Sequence, residues 1–200
     1  MWDERFSEPG YAYGTEPNDF LKERVADLKR GRCLCLAEGQ GRNAVWLAQQ
    51  GFDVTAMDQS PAGLEKAREL AESRGVTIAT QVGDLVDFDL GEGVWDSIVS
   101  IFVHLPPVLR ADVHGRVARA LVPGGTVLLE AYTPDKFDYP GFGGPPRDQL
   151  DRTFTRPMLI DDFNGLDVIH AKETVRDVNE GKYHHGRSAV VQFLAKKPGE

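Results

Sequence analysis

The stretch CLCLAEGQGRNA, residues 33–44, decides the fold of this chain. Its first five residues are apolar, which predicts a short buried strand. Gly39 and Gly41 follow; glycine permits unusual backbone angles and places no Cβ between the main chain and a ligand. A helix is predicted over 43–50, closed by Gly51. A strand that runs through such a turn into a helix predicts a site where a ligand contacts backbone.

The rest of the chain continues this alternation of strand and helix. The predicted strands are 33–37, 54–57, 77–82, 97–103 and 126–132, and helices are predicted over 43–50, 61–74 and 107–121. A first helix is signalled by residues 15–18, with Phe20, Leu21, Val25 and Leu28 on its apolar side. Residues 166–178 and 188–195 flank Asn179-Glu180-Gly181 and predict an antiparallel hairpin at the sheet edge. We therefore expect an α/β fold: a Rossmann-like, doubly wound, mostly parallel sheet of seven strands in three α/β/α layers.

Composition narrows the class of protein. The chain has 200 residues, of which 41% are hydrophobic, so we expect one domain over 1–200. Its net charge of −8 argues against nucleic acid as a partner. No segment resembles a secretory signal or a membrane span, so we expect a cytoplasmic protein without a membrane partner. Cys33 and Cys35 share one face of a strand as buried apolar residues, and no metal site is predicted.

Two carboxylates in this region predict a nucleoside ligand. Asp58 ends the second predicted strand, where a carboxylate can accept hydrogen bonds from both ribose hydroxyls. NAD and S-adenosylmethionine both carry such a ribose, and Gly39, Gly41 and Ala44 also fit the dinucleotide pattern G-x-G-x-x-A. Glu38 favours S-adenosylmethionine, because a carboxylate in this loop repels a pyrophosphate and attracts an ammonium group.

A third acidic residue follows the next strand. Gly83-Asp84-Leu85 stands where an adenine edge lies in a doubly wound sheet, and Asp84 can accept from the adenine amino group. Asp84 is also compatible with a plain turn, in which Asp is common.

These motifs together resemble the class I S-adenosylmethionine-dependent methyltransferases. The glycine-rich loop, Asp58, residues 83–85, the strand that begins at Trp95 and the segment 121–125 occur in the family's order and approximate spacing across nearly the whole chain. The family commonly has Asp where Cys35 stands and Gly where Ala37 stands. Residues 38–43 and the N-terminal segments 2–6 and 11–18 resemble the tellurite-resistance and thiopurine-methyltransferase-like subgroup.

The resemblance implies S-adenosylmethionine as cofactor. It places Gly39 and Gly41 against the methionine portion, Asp58 at the ribose, and Asp84 and Leu85 at the adenine. Segment 1–20 would lie over the cofactor site. The full set of expected cofactor-binding residues is Tyr13, Glu38, Gly39, Gly41, Arg42, Asp58, Gln59, Asp84, Leu85, Ser100 and Ile101. In this set Ser100 or Ile101 lines the pocket and Tyr13 helps to close it, although Tyr13 also fits an ordinary packed aromatic.

The methyl acceptor is expected to be a small molecule, with a thiol or a chalcogen oxyanion as candidates drawn from the resemblance. His104 follows the fourth strand, where acceptors bind in doubly wound folds, and is the first candidate base. His185 and Arg187 in the hairpin are further candidates; neighbours in a strand face opposite ways, so His184 and His185 would not share a pocket. Residues 133–152, rich in Gly, Pro and aromatics, predict either a lid or a connector.

Two other functions stay open. A nicotinamide-dependent reductase also fits the nucleoside signals, and Tyr132 and Lys136 have the Y-x-x-x-K spacing of short-chain dehydrogenases. That pair needs a helix, however, and Pro134 lies between the two residues just after a predicted strand. A non-catalytic module that binds S-adenosylmethionine and regulates a partner is equally compatible with intact cofactor motifs.

Overall fold

The structure is a computed structural model and describes residues 2–199. Short apolar runs form the predicted strands, and the amphipathic segments that lie between these runs form helices. The strands are β1 (Arg32–Leu36), β2 (Asp53–Asp58), β3 (Ala79–Val82), β4 (Trp95–Ile101), β5 (Leu121–Tyr132), β6 (Asp167–Asn179) and β7 (His185–Lys196). The helices are α1 (Trp2–Ser7), α2 (Asp19–Arg24), α3 (Arg42–Gln49), α4 (Pro61–Ser73), α5 (Pro107–Ala120) and α6 (Arg156–Asp162).

All seven strands form one sheet in the order β3-β2-β1-β4-β5-β7-β6. The pairs from β3 through β5 are parallel, whereas β7 is antiparallel to both β5 and β6. The predicted doubly wound sheet with a C-terminal antiparallel hairpin is confirmed. The chain leaves β1 towards β2 and later returns to β4 on its other side, so the order of strands reverses beside β1. Such a reversal opens a crevice at the carboxyl ends of the strands, where ligands bind in this class of fold.

Helices cover both faces of the sheet. Strand β1 shows this, because its successive side chains point to opposite faces and are buried on both. Leu34 and Leu36 belong to one buried cluster, which includes side chains of α5 and α6. Cys33 and Cys35 point the other way and join a second cluster with α2, α3 and α4. Side chains that alternate between two buried clusters give the three-layer arrangement and explain why the central strands are apolar throughout. Both cysteines are buried and free.

The structure adds elements that the sequence patterns did not predict. Helices α1 and α6 were not expected, although Thr155 caps α6 by accepting a hydrogen bond from Met158 N, and a Thr followed by Pro157 is a recognisable helix start. Residues 133–152 contain two short 3-10 helices, Pro134–Asp138 and Arg147–Arg152, rather than a structureless segment. Strand β5 begins at Leu121, earlier than expected, with an irregular register opposite Trp95.

One class of element is missing from the described part of the chain: no helix there combines the length and apolar character that a membrane span requires. Residues 2–199 also bring no three His, Cys, Asp or Glu side chains together in a way that would hold a metal ion.

Candidate active site

A cavity of about 200 Å³ lies at the crevice beside β1. Its inner wall comes from the loops that follow β1, β2, β3 and β4, and its outer wall comes from the N-terminal segment and the hairpin tip. The lining residues are Trp2, Phe6, Tyr13, Gly14, Ala37, Glu38, Gly39, Gln40, Arg42, Asn43, Met57, Asp58, Gln59, Gly83, Asp84, Leu85, Ile101, Phe102, Val103, His104, Leu105 and His184. The structure therefore brings most of the predicted cofactor-binding residues to one cavity.

Glu38 organises the loop between β1 and α3. One carboxylate oxygen accepts hydrogen bonds from the backbone N–H groups of Asn43 and Ala44, each at 2.8 Å. These groups lack partners within the helix, so Glu38 caps α3 from outside it. Burial raises the pKa of Glu38 to about 7, although the two N–H groups and the charge of Arg42 oppose the shift. The carboxylate thus stands at the helix N-terminus, where a phosphate group would otherwise bind.

Asp58 locks the same loop to β2. One oxygen accepts from Gly39 N at 2.8 Å and the other accepts from Ser60 N at 2.8 Å. The carboxyl group is buried, and that burial raises its pKa in spite of the hydrogen bonds. A carboxylate has about four acceptor positions, so Asp58, which also interacts with the backbone N–H of Gln59, keeps capacity for a further donor from the cavity. A ribose hydroxyl is a donor that a carboxylate at the end of this strand can bind.

The two glycines of the loop have different tasks. Gly39 lines the cavity at φ +62°, and a Cβ there would lie 2.8 Å from Cζ of Phe6. Gly41, at φ +87°, does not line the cavity; a Cβ there would lie 2.6 Å from the Cβ of Ala67. Gly41 thus lets α3 begin close against α4, while Gly39 lets Phe6 of α1 cover the loop.

The opposite wall holds the predicted adenine residues. Leu85 is buried, and Asp84 is exposed and accepts a hydrogen bond from Val86 N at 3.0 Å, so it also stabilises its own turn. Gln59 lines the cavity beside Asp58. At the end of β4 the wall contains Ile101, whereas Ser100 is buried behind it.

The N-terminal segment closes the outer side. Phe6 is buried against the loop, and Tyr13 accepts a hydrogen bond from Arg5 Nη1 at 2.9 Å. Asp3 accepts a hydrogen bond from the Ser60 hydroxyl, which ties α1 to the start of α4. These contacts are tertiary, which explains why the sequence of α1 alone did not predict a helix.

His104 lies in the cavity wall, but both of its nitrogens are engaged. Nδ1 lies 2.9 Å from the carbonyl oxygen of Arg152, and Nε2 accepts from Tyr132 N at 3.3 Å. The ring is then neutral with its proton on Nδ1, and burial lowers its pKa to about 4. No lone pair of the His104 ring remains free to act as a general base. Its two hydrogen bonds instead join the end of β5 to the turn at residue 152.

The hairpin contributes His184 instead of the predicted His185 and Arg187. The ring of His184 lies 4.6 Å from Tyr13, 4.7 Å from Phe102 and 5.5 Å from Tyr132 between ring centroids. Its Nδ1 is buried and has no hydrogen-bond partner. His185 is exposed and stacks on Phe142, and Arg187 is exposed, so neither lines the cavity.

A buried charge cluster joins the cofactor loop to the hairpin. Arg42 pairs with Glu180, which also accepts from Arg176 Nη2 at 2.7 Å. Arg176 makes two further hydrogen bonds to Glu130, at 2.9 and 2.6 Å, and Asn18 Nδ2 donates to both carboxylates. Arg42 therefore lines the cavity while its guanidinium holds the hairpin. Sequence reasoning missed this cluster, because its members come from four distant segments.

Comparison with known proteins identifies the family. Residues 33–125 match the family model described as a methyltransferase domain. The chain is 32% identical over 183 residues to the uncharacterized methyltransferase sll0829 of Synechocystis, covering 88% of this chain and 81% of that protein. It is 26% identical over 197 residues to Hemagglutinin 1 of Eikenella corrodens, covering 92% of this chain and 61% of that protein. The chain thus spans about three-fifths of that relative's length.

The fold has close counterparts among solved structures. One, from work on "Conversion of a Disulfide Bond into a Thioacetal Group during Echinomycin Biosynthesis", superposes with a TM-score of 0.74 at 20% identity, covering 97% of this chain and 86% of that one. At this identity the similarity concerns the fold alone. The sequence matches show that the chain belongs to the methyltransferase family.

Proposed function

We propose that this protein transfers the methyl group of S-adenosylmethionine to a small-molecule acceptor, and that residues 1–200 form one domain for this purpose. The observation that carries the proposal is the charge of the cavity. Glu38, Asp58 and Asp84 all line it, and Arg42, the lysine or arginine among its lining residues, is paired with Glu180. The cofactor carries a sulfonium and an ammonium group, so an acidic cavity complements it, whereas a dinucleotide carries a negative pyrophosphate.

The residues around the cavity fit the parts of this cofactor. Asp58 has a free acceptor position for the ribose, and Gly39 offers a surface without a side chain to the methionine portion. Glu38 is placed to attract the ammonium group, and Asp84 with Leu85 to contact the adenine. Gln59, Ile101 and Tyr13 complete the lining, and segment 1–20 covers the cofactor. Gly41, Arg42 and Ser100 support this wall through packing and ion pairing.

The mechanism is an in-line displacement. Bound S-adenosylmethionine supplies a methyl group that is already activated by the sulfonium charge. With the cofactor held by Gly39, Glu38 and Asp58, the methyl group would pass to the acceptor's nucleophilic atom, and the electron pair of the sulfur–carbon bond would stay on sulfur. The protein's part is to hold the two reactants in line and to exclude water with Phe6, Tyr13 and Phe102.

The hydrogen bonding of His104 favours an acceptor that loses its proton without a general base in the site. Both of its nitrogens are engaged by backbone groups, so it does not remove a proton from the acceptor. A thiol or a chalcogen oxyanion is nucleophilic once it has lost its proton to water, whereas alcohols need a base in the site. We therefore propose these acceptors first, which is also the chemistry that the resemblance to the tellurite-resistance and thiopurine-methyltransferase-like subgroup suggests.

The reductase alternative has less support. Glu38 occupies the N-terminus of α3 with a carboxylate, which opposes a pyrophosphate there. Tyr132 ends β5, and Lys136 lies in a 3-10 helix that begins at Pro134, so the two are not on one helix. The remaining alternative, a regulatory module without turnover, binds the same cofactor and differs only in the absence of methyl transfer.

Calorimetric titration tests the cofactor. The protein is titrated with S-adenosylmethionine, S-adenosylhomocysteine and NADH, and the titrations are repeated with Asp58→Ala and with Asp53→Ala. Asp53 lies at the exposed far end of β2 and serves as the matched control. We expect both sulfur nucleosides to bind, Asp58→Ala to weaken them about 100-fold through the loss of a charge-assisted hydrogen bond, and Asp53→Ala to have no effect.

Transfer of a radiolabelled methyl group to a panel of thiols, tellurite and small acids then separates an enzyme from a regulatory module. Binding of NADH in preference to both sulfur nucleosides would overturn the proposal. Cofactor binding without transfer to any acceptor in the panel would favour the regulatory reading.

A further inference from the structure

A second cavity, of about 440 Å³, lies beside the first. Its walls come from the N-terminal segment, the loop 136–146 and the hairpin tip, and they include Arg5, Tyr13, Lys136, Phe137, Tyr139 and Tyr183. Tyr13 borders both cavities. Its ring packs on His184, whose Nδ1 is buried and has no hydrogen-bond partner. The two cavities are thus neighbours that share a wall of Tyr13.

The charge of the second cavity is opposite to that of the first. Two cations, Arg5 and Lys136, line it, and none of the lining residues is a carboxylate. This is unexpected in a protein of net charge −8, in which acidic residues outnumber basic ones 31 to 23. Arg5 is held in place by its hydrogen bond to the Tyr13 hydroxyl and by the ring of Tyr183, 4.5 Å from its guanidinium carbon.

Of the two cations, Lys136 gives the stronger indication of an anion site. Its side chain is buried, with 7% of the residue exposed, and Nζ donates to the carbonyl oxygens of Gly143 and Pro145. It makes no ion pair with any residue in the range 2–199. An ammonium group that is buried without a counter-charge is costly, and an anion beside it would offset that cost. The desolvation lowers the pKa of Lys136 to about 8, which leaves it mostly charged at neutral pH.

We propose that the second cavity binds the methyl acceptor and selects a small organic acid, whose carboxylate or other oxyanion pairs with Lys136 and Arg5. This inference rests on the proposed methyl transfer. With its anionic group held there, the acceptor extends past Tyr13 and brings its nucleophilic atom to the first cavity. His184, which packs on Tyr13 and lines the first cavity, lies beside that path. The loop 133–152 then acts as a wall of the acceptor site.

Two probes that differ in one charge test the selection. Protein saturated with S-adenosylhomocysteine is titrated with 2-mercaptobenzoate and with its neutral amide, 2-mercaptobenzamide. We expect the anion to bind at least 10-fold more tightly than the amide. Lys136→Met should remove most of this preference by weakening the anion and not the amide. Lys136→Arg should keep the anion within about 3-fold of the wild-type affinity, because the charge is retained.

Two further variants control the experiment. Lys182→Met removes a nearby exposed cation that does not line the cavity, and it should leave both affinities unchanged. Arg5→Gln provides an independent test should Lys136→Met fail to fold, since Arg5 lies on a partly exposed helix face, and it should weaken the anion several-fold. Circular dichroism spectra confirm folding of each variant before titration.

The outcomes are distinct. Equal binding of acid and amide, no binding of either probe at millimolar concentration, or an unchanged preference in both Lys136→Met and Arg5→Gln would overturn the proposal. Failure of the proposed function is recognised separately, because it would appear as a lack of S-adenosylhomocysteine binding in the same calorimeter before any probe is added. The charge preference is then measured on the cofactor-free protein and judged by the same criteria.

Discussion

The two cavities, which we propose as the cofactor end and the acceptor end of one site, are built in different ways. At the cofactor end, the hydrogen bonds join residues close in sequence: Gly39 to Asp58 across 19 residues, and Asn43 to Glu38 across 5. The hairpin, whose tip borders the proposed acceptor cavity, is instead tied to the rest of the fold by Glu180, which bonds to Arg42 across 138 residues and to Asn18 across 162. A strand, a glycine turn and a helix assemble the first end locally. The walls of the second end come from three segments that are distant in sequence: the N-terminal segment, the loop 136–146 and the hairpin tip.

The two ends also differ in electrostatics. The first cavity is lined by Glu38, Asp58 and Asp84 and by Arg42, whose charge is paired with Glu180, whereas the neighbouring cavity is lined by Arg5 and Lys136 and by no carboxylate. A cationic cofactor and an anionic acceptor would each find the complementary charge, and their charges would favour each other's approach. Opposite charges in adjoining cavities thus give a physical basis for binding two different reactants side by side.

The largest expected effect tests how strongly the long-range cluster holds the acceptor end. Glu180→Ala removes one carboxylate from a cluster with Arg42 and Arg176, and leaves buried guanidinium charge without its partner. We expect a loss of about 3–5 kcal/mol in the free energy of unfolding, measured by urea denaturation.

The control for that cluster is Glu16→Ala, because the Glu16 side chain is 74% exposed and pairs with Arg74 at the surface. We expect a loss of less than about 0.5 kcal/mol there. If Glu180→Ala cost no more than this control, the hairpin would be held by packing alone, and the contrast between the two ends would disappear.

The same contrast explains which parts of the fold and site could be predicted from sequence. Residues 33–44 and Asp58 were predicted because a buried strand, a turn and a capped helix each leave a local pattern. The doubly wound, mostly parallel sheet with its C-terminal hairpin followed from the alternation of strand and helix, but the order of the strands came only from the structure. The cluster of Glu130, Arg176 and Glu180 has no such pattern, since a carboxylate that will be buried looks like any other in a sequence.

The hairpin shows how a small shift in a boundary changes a site. The alternation rule separates His184 from His185 only if both lie in a strand, but β7 begins at His185, and His184 belongs to the preceding turn. Turn geometry then aims His184 at Tyr13 and Phe102. Strand ends are set by tertiary pairing, here including a bridge between Phe142 and His185, so sequence patterns place them poorly.

A prediction of intermediate size concerns the electrostatics of the cofactor end. Burial raises the pKa of Glu38 to about 7 from an ordinary 4.5. The folded state therefore binds more protons than the unfolded state between these values, and the ligand-free protein loses stability as pH rises through that window. Glu38→Gln keeps an oxygen that can accept from Asn43 and Ala44 N–H but carries no charge. We expect it to raise stability by about 1–3 kcal/mol at pH 8, seen as a higher Tm.

The variant should also weaken binding of S-adenosylhomocysteine about 10-fold at pH 8, because the ammonium group loses its carboxylate. Glu65→Gln, at an exposed position on α4, is the control and should change neither quantity. A Tm that kept the wild-type pH dependence in Glu38→Gln would show that another group is responsible for it.

The smallest effect concerns backbone strain in the same loop. Ala37 follows β1 with φ +46°, a region that favours glycine, and the resemblance to the methyltransferase family indicates glycine as the common residue there. Ala37→Gly removes a Cβ that contributes little, since Ala37 is exposed, and relieves the strain at some cost in chain entropy. We expect a gain of about 0.5–1 kcal/mol in the free energy of unfolding, measured by urea denaturation.

The matched control is Ala111→Gly, which makes the same substitution at an exposed position inside α5. There the backbone is helical, so glycine should destabilise the protein by about 0.5–1 kcal/mol. If the two Ala→Gly substitutions change the free energy of unfolding with opposite signs, then the backbone conformation at Ala37, rather than its side-chain contacts, determines the stability of the cofactor loop. A loss of stability at both positions would instead mean that Ala37 is retained for a packing contact, and that the cofactor end depends on tertiary structure as the acceptor end does.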